Sequence, residues 1–313
     1  VLKIDALVSH PWYAEHVRPV WDALPEKNRG TLYTKAADLE KSSLPVLVAA
    51  TGDMFVAHRL KRPIAMMEHG AGQSYGGDRL SRRHSSYAGG DSRFAELFLH
   101  PGPHPAARDA ARYPQARVEI IGCPKLDFLP ERDRSLDTTK MPVVAVSFHW
   151  DCQVSQETRS SFIWFRNALR LNTGFQVLGH GHPRMMERLR PWYARKGFEA
   201  VDSFSDVLKR ADLYVCDNSS SLFEFASTGR PVVVLNPPFY RRDRDHGLRF
   251  WDAAGVGLGL SEPSAFEQTV LRALKDPESA KISRERALDL VYTPRTGAAA
   301  LGAAAIIDWM ETR

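Results

Sequence analysis

The chain has 313 residues, enough for two domains with full cores. Charged residues make up 25% and hydrophobics 43%, and no apolar run reaches the length of a membrane span; this excludes a disordered chain and an integral membrane segment. The net charge is +5 and the pI about 9.1, which favours anionic partners.

In chain order, "LKIDALVS" reads as a strand, and "HPWYAEHVRPVWDALP" has apolar residues at helical intervals. "LPVLVAAT" is a short, β-branched apolar run of the kind found in buried parallel strands. "GDMFVAHRLK" follows as a helix and "RPIAMMEHG" as a strand. "FAELFLHPG", "PAARDAARYP" and "ARVEIIGCP" continue as strand, helix and strand. The polar, proline-flanked segment 129–142 is the best linker. The alternation then restarts with strand "VVAVSFHW", a helix over 155–172, strand "GFQVLGHGHP" and helix "RMMERLRPWYARKG". Strand "FEAVDSF" and helix "SDVLKRA" lead to an apolar run, Leu213–Cys216. Residues 298–313 form a closing helix. Strands alternating with helices predict βαβ units and parallel sheets. The expected domains are 1–135 and 136–313, with the last helix free to pack back toward the first.

The cysteines, Cys123, Cys152 and Cys216, fit neither a disulfide framework nor a zinc motif. The N-terminus reads as a strand, not a signal peptide, and a cytoplasmic location is the default expectation. The histidines lack the spacing of a helical metal motif, so no catalytic metal is expected.

After Leu213–Cys216 come Asp217, Asn218 and three serines, Ser219, Ser220 and Ser221, before an apolar helix. A polar turn between a buried strand and a helix lies at the carboxyl edge of a parallel sheet, where ligands of open α/β sheets bind. A helix N-terminus there suits a phosphate, and the serines add hydroxyl donors. Against this, Ser221-Leu222-Phe223-Glu224 fits the S-x-x-E capping box, so Ser221 and Glu224 are expected to cap the helix.

The strand, the D-x-S-S turn, the short helix and "GRPVVVL" together resemble the closing motif of CDP-glycerol glycerophosphotransferases, a branch of the GT-B group. "MEHGAG", "IGCPKLDFL", "VVAVSFHWD" and "GHGHPRM" are similar to further family segments in the same order, from about residue 45 to about 240. Lys125 stands where the family has arginine, and Asn218 where it commonly has an aromatic. The scaffold is shared with UDP-N-acetylglucosamine 2-epimerases and phage DNA glycosyltransferases. The resemblance implies an α/β protein of GT-B architecture, two Rossmann-like parallel-sheet domains facing an interdomain cleft.

It also implies roles. His69, at the end of a strand, is the expected general base toward an acceptor hydroxyl, with Glu68 orienting it or acting in its place. The alternative for His69 is a ring bonded to a neighbouring carbonyl. His182 and Arg184 are expected to hold the donor diphosphate with Asp217, Ser219, Ser220 and Ser221, and Glu224 to bond the ribose. Arg82 and Arg83 in "RLSRRH", and Arg241 and Arg242 in "YRRDRDHGLRFW", are the candidate acceptor contacts. The leading expectation is transfer of a sugar, or a polyol phosphate, from a nucleotide diphosphate donor to a hydroxyl. That donor is a substrate, and no cofactor is expected. Candidate acceptors are a glycan or polyol polymer, as in teichoic-type synthesis, and hydroxymethylated DNA. A 2-epimerase and a non-catalytic nucleic-acid-binding module are the remaining alternatives.

Overall fold

The computed structural model describes residues 2–71, 93–130, 141–151, 159–169, 174–217, 219–240 and 254–313. These divide into two compact units, residues 1–128 with 289–313, and residues 129–288. The division therefore falls twice in the chain, and the C-terminal segment belongs to the first unit rather than to a 136–313 domain. The core of the predicted linker, 131–140, lies outside the described residues.

Unit 1 begins with β1 (Ile4–Leu7), α1 (Ala14–Ala23), β2 (Arg29–Tyr33), β3 (Val46–Val48), α2 (Thr51–Arg59) and β4 (Ile64–Met67). It continues with β5 (Leu97–His100), α3 (Pro103–Arg112) and β6 (Arg117–Ile120). All pairings are parallel, in the order β2-β1-β3-β4-β5-β6. β1, β3, β4 and β5 are buried along their whole length, as expected of strands covered on both faces. The one charge in β1, Asp5, is buried; it accepts from Thr31 N at 2.7 Å and pairs with the equally buried Arg62 at 2.5 Å.

Unit 2 holds β7 (Val143–Phe148), α4 (Phe162–Phe165), β8 (Gln176–Gly181), α5 (Pro183–Arg195), β9 (Glu199–Ala200) and α6 (Phe204–Arg210). β10 (Leu213–Cys216), α7 (Ser221–Ala226), β11 (Val232–Leu235), β12 (Leu258–Leu260) and α8 (Phe266–Lys275) complete its layers. The helix expected over 155–172 is described only as the single turn α4; residues 152–158 and 170–173 lie outside the described residues. This sheet is also parallel, ordered β12-β11-β10-β7-β8-β9.

The side-chain period of two sorts the two faces of the unit 2 sheet. Val144, Val146, Phe148, Leu213 and Val215 enter an apolar cluster with Phe165, Leu189 and Tyr193. Gly179 and Gly181 belong to this face. A Cβ on Gly179 would lie 2.5 Å from the Tyr193 ring, so the "GHG" pattern lets α5 approach β8. On the other face, register places Ala145, Ser147, His180 and Tyr214 together. Tyr214 there stacks against Phe225 of α7 and meets Phe204 of α6 edge-on.

The chain ends with α9 (Lys281–Val291) and α10 (Ala298–Thr312). α10 packs on α1, where a Cβ on Gly302 would come within 2.9 Å of Val20. Asp127 accepts from the backbone N–H groups of Ala298 and Ala299 at 3.2 and 2.8 Å, satisfying two donors of the first turn of α10. "IGCPKLDFL" thus fastens the C-terminal helix within unit 1; its Lys125 pairs with Glu15 of α1 at 2.9 Å. No helix among the described residues is long and apolar enough to cross a membrane.

Candidate functional site

In unit 2 the chain runs from β7 outward to β8 and β9, then returns to place β10 on the other side of β7. The loops after β7 and β10 therefore leave in opposite directions, which is where open α/β sheets bind ligands. Because β10, β7 and β8 are neighbours, their carboxyl ends bring together Asp217 with the serines, His149 with Trp150, and His182 with Arg184.

Asp217 is fully buried, and its oxygens accept from two backbone amides, His149 N at 2.7 Å and Ser161 N at 2.8 Å. It ties the ends of β10 and β7 to the start of α4. This is a positioning role, not the ligand contact the sequence suggested. His182 is the N-cap of α5, and its Nδ1 accepts from Arg184 N at 3.2 Å. An accepting Nδ1 has no hydrogen, so in the neutral ring Nε2–H is the donor. Burial, then His149, Arg184 and His180, push the His182 pKa down to about 3, so the ring is neutral at physiological pH. The Arg184 guanidinium lies over the Trp150 ring at 4.8 Å, and the His149 and His182 rings are 5.4 Å apart.

The serine turn differs from the expected capping box. Ser220, not Ser221, is the N-cap of α7, and it makes no side-chain cap bond. Glu224 N bonds to Ser220 O in ordinary helical fashion. Ser221 Oγ instead donates to Ser219 Oγ at 2.7 Å and meets Tyr214 Oη at 2.8 Å. The box fails because the helix starts one residue earlier than the pattern requires. Glu224 is buried.

In unit 1 the loops after β1, β3 and β4 meet at the corresponding edge. His69 Nδ1 lies 2.5 Å from Ala49 O. A carbonyl can only accept, so Nδ1 carries the hydrogen and Nε2 the lone pair. The carbonyl-bonded ring weighed in the sequence is what forms, and it fixes the tautomer a base needs. Burial and then His16 push the His69 pKa down to about 3, against the Ala49 hydrogen bond. Tyr13 packs edge-on against the ring at 4.4 Å. Glu68 does not orient His69; its Oε2 is 2.6 Å from His100 Nδ1, while His100 Nε2 is 3.3 Å from Asp109. Burial lowers the His100 pKa, but hydrogen bonds to Asp109 and Glu68 outweigh it and raise the value to about 9. Glu68 belongs to a buried ionic cluster that also includes Arg108 at 3.7 Å.

Arg82, Arg83, Arg241 and Arg242 lie outside the described residues, as does Asn218. Sequence reasoning overlooked Trp150 and Tyr214 and gave His149 no role beyond a rejected metal site. His149 and Trp150 end a buried strand just as His182 does, and that shared position was the available signal.

No family model matches the sequence, and no curated protein matches it significantly. Solved structures match over the whole chain. The wall teichoic acid polymerase TagF soaked with CDPG is similar at a TM-score of 0.67 and 12% identity, with 99% of this chain and 89% of that one covered. UDP-GlcNAc 2-epimerase from Neisseria meningitidis bound to UDP-GlcNAc is similar at 0.66 and 12% identity, with both chains fully covered at 100%. S. aureus MnaA in its UDP co-structure is similar at 0.65 and 13% identity, covering 100% of this chain and 96% of that one. At these identities the likeness is one of fold: two Rossmann-like α/β units of the GT-B type.

Proposed function

We propose that the protein is a GT-B-type transferase that moves a sugar, or a polyol phosphate, from a nucleoside diphosphate donor to an acceptor hydroxyl. The observation that carries this reading is the donor set at the edge of unit 2. His182 is held as a neutral Nε2–H donor, Arg184 supplies a cation, and the serine turn supplies hydroxyls, all at the ends of three adjacent strands. Such a set suits a diphosphate, which offers only acceptors. The GT-B-type neighbours, whose structures carry CDPG, UDP and UDP-GlcNAc, support the same class of ligand.

In this scheme His69 Nε2 takes the proton of the acceptor hydroxyl as its oxygen forms a bond to the transferred group. The bond from that group to the nucleotide breaks, and the nucleotide leaves with the electron pair, as a diphosphate when a sugar is moved and as a monophosphate when a polyol phosphate is moved, stabilised by the unit 2 donors. The test is thermal shift and calorimetry with CDP, UDP and GDP against their nucleosides. Binding of a diphosphate with no response to the nucleoside supports the reading; no response to any diphosphate rejects it.

A second reading, a UDP-N-acetylglucosamine 2-epimerase, is favoured by the 2-epimerase neighbours, which match over the whole chain. Incubation with UDP-N-acetylglucosamine alone separates the two, since epimerisation needs no acceptor. DNA as acceptor rests on the charge of Arg82, Arg83, Arg241 and Arg242. If they contact a duplex, log K should fall with log salt by about 0.9 per neutralised phosphate, and a flat response removes DNA from consideration.

A further inference from the structure

On the inner face of unit 2, between the sheet and α6 and α7, lies a line of polar groups in an otherwise apolar layer. Its direction can be derived one hydrogen at a time. A hydroxyl has one hydrogen to donate and two lone pairs to accept with. Ser219 Oγ accepts twice from Ser221, from the backbone N–H at 3.3 Å and from the hydroxyl at 2.7 Å. Its own hydrogen is the group left to donate. The Ser221 hydrogen is spent on Ser219, so in the 2.8 Å contact between Tyr214 and Ser221 the phenol must donate.

Both bonds therefore point toward Ser219. Tyr214 is 0% exposed, so water has little access to reverse its end of the line. Burial, the largest cause, holds the Tyr214 phenol well above its ordinary pKa of 10, so the phenol keeps its hydrogen. Aligned hydroxyls in a low dielectric polarise one another, which strengthens the terminal donor.

We propose that Tyr214 is a positioning residue, the buried start of a one-way chain through Ser221 that holds the Ser219 hydroxyl as a donor to a phosphate oxygen. The ligand class rests on the nucleoside diphosphate reading above, whereas the chain itself does not. The chain works through side-chain hydroxyls and makes no use of the amides at the start of α7. Tyr214→Phe keeps the ring that packs on Phe204 and Phe225 and removes only the link.

The decisive experiment is calorimetric titration of CDP, UDP and GDP into the full-length wild type, Tyr214→Phe, Ser219→Ala and the double variant. Ser219→Ala should weaken diphosphate binding roughly 10- to 100-fold, the loss of a bond to a charged group. Tyr214→Phe should weaken it roughly 3- to 10-fold, the loss of a neutral hydrogen bond, with nucleoside binding unchanged. The double variant should be no weaker than Ser219→Ala, because the phenol acts only through Ser219. Wild-type affinity in Tyr214→Phe, or additive losses in the double variant, would overturn the proposal. Should Tyr214→Phe fail to fold, Ser221→Ala breaks the same chain nearer the surface and must show the same non-additivity. A ligand-free arm tests the chain itself: in chemical denaturation the losses of Tyr214→Phe and Ser221→Ala should be non-additive, and additive losses refute the chain. Non-additive losses in a protein that binds no diphosphate keep the chain and reject both the functional reading and the phosphate named here.

Discussion

The two units share a six-stranded parallel sheet and a polar carboxyl edge, yet they fill that edge with opposite chemistry. Behind the unit 2 edge the side-chain hydrogens are aligned so that donors face out: the His182 Nε2–H, the Arg184 cation and the Ser219 hydroxyl. The Asp217 carboxylate accepts from two backbone amides. Behind the unit 1 edge two carboxylates, Glu68 and Asp109, enclose His100. The His69 Nδ1–H bonds Ala49 O, which puts the ring's lone pair on Nε2. One edge suits an anion and the other suits a proton. Under the proposed function, this difference divides a transfer reaction, with the leaving group served by donors and the nucleophile by an acceptor.

The largest expected effect breaks the unit 1 side of that contrast. His69→Ala should lower turnover by roughly 10²–10⁴-fold, the usual contribution of a general base, with donor affinity nearly unchanged. Equal turnover in variant and wild type would remove His69 from the chemistry. Its pH dependence sharpens the point. Protonation abolishes the base, so activity is lost as pH falls through the His69 pKa. Burial holds that pKa at about 3, so kcat/KM should show no acid limb near pH 6.5. An acid limb at 6.5 that vanishes in His69→Ala would place a different environment around the ring.

Next come the carboxylates that enclose His100. Glu68→Gln removes one partner of a buried ion pair and should cost about 3–5 kcal/mol of stability in chemical denaturation. Diphosphate binding should be unaffected, because the cluster lies in the other unit. The same cluster makes stability pH-dependent. His100 has its pKa raised from 6.5 to about 9, so its contribution is complete below pH 6.5 and is lost as pH rises through 9. The full loss is about 3 kcal/mol, and Glu68→Gln should flatten the slope. A wild-type stability that stays level from pH 6 to 10 would contradict the charged form of His100.

On the unit 2 side, Arg184→Ala should weaken diphosphate binding by about tenfold and leave the nucleoside unaffected, the pattern of one charge-assisted contact. Equal losses for both ligands would mean that the Arg184–Trp150 stack shapes the site rather than contacting phosphate.

The sequence made one link of this contrast clearer than the other. Strand periodicity and β-branched runs located Leu213–Cys216 and "PIAMM", and the rule that ligands gather at the carboxyl edge singled out His69, His182 and the serines. What a linear reading could not supply was the partner of each polar atom. Asp217 looked like a ligand contact because it adjoins the serines, but its oxygens find amides 56 and 68 residues earlier in the chain. Glu68 looked like an orienter of its neighbour His69, yet adjacent side chains at a strand end diverge, and it meets His100 instead. The capping box at Ser221 was missed by one residue, within the usual uncertainty of a helix start. Tyr214 was hidden because, read alone, it is an ordinary member of a buried strand.

The smallest effect tests whether a segment that resembled a family motif belongs to the site at all. Asp127 lies in "IGCPKLDFL", and the resemblance alone would suggest a functional role. Its carboxylate instead accepts from the first amides of α10, and a carboxylate at a helix N-terminus also complements the partial positive charge there. Asp127→Ala should therefore behave as the loss of a cap, costing about 1 kcal/mol of stability. Asp127→Asn should recover part of that loss, since an amide oxygen still accepts but carries no charge. Neither change should alter diphosphate affinity or turnover at a temperature where both variants are folded. A drop in turnover with stability intact would return this segment to the chemistry of unit 1. A drop in stability alone makes α10, laid against α1 through Gly302, a closing element of that unit, held at its start by Asp127.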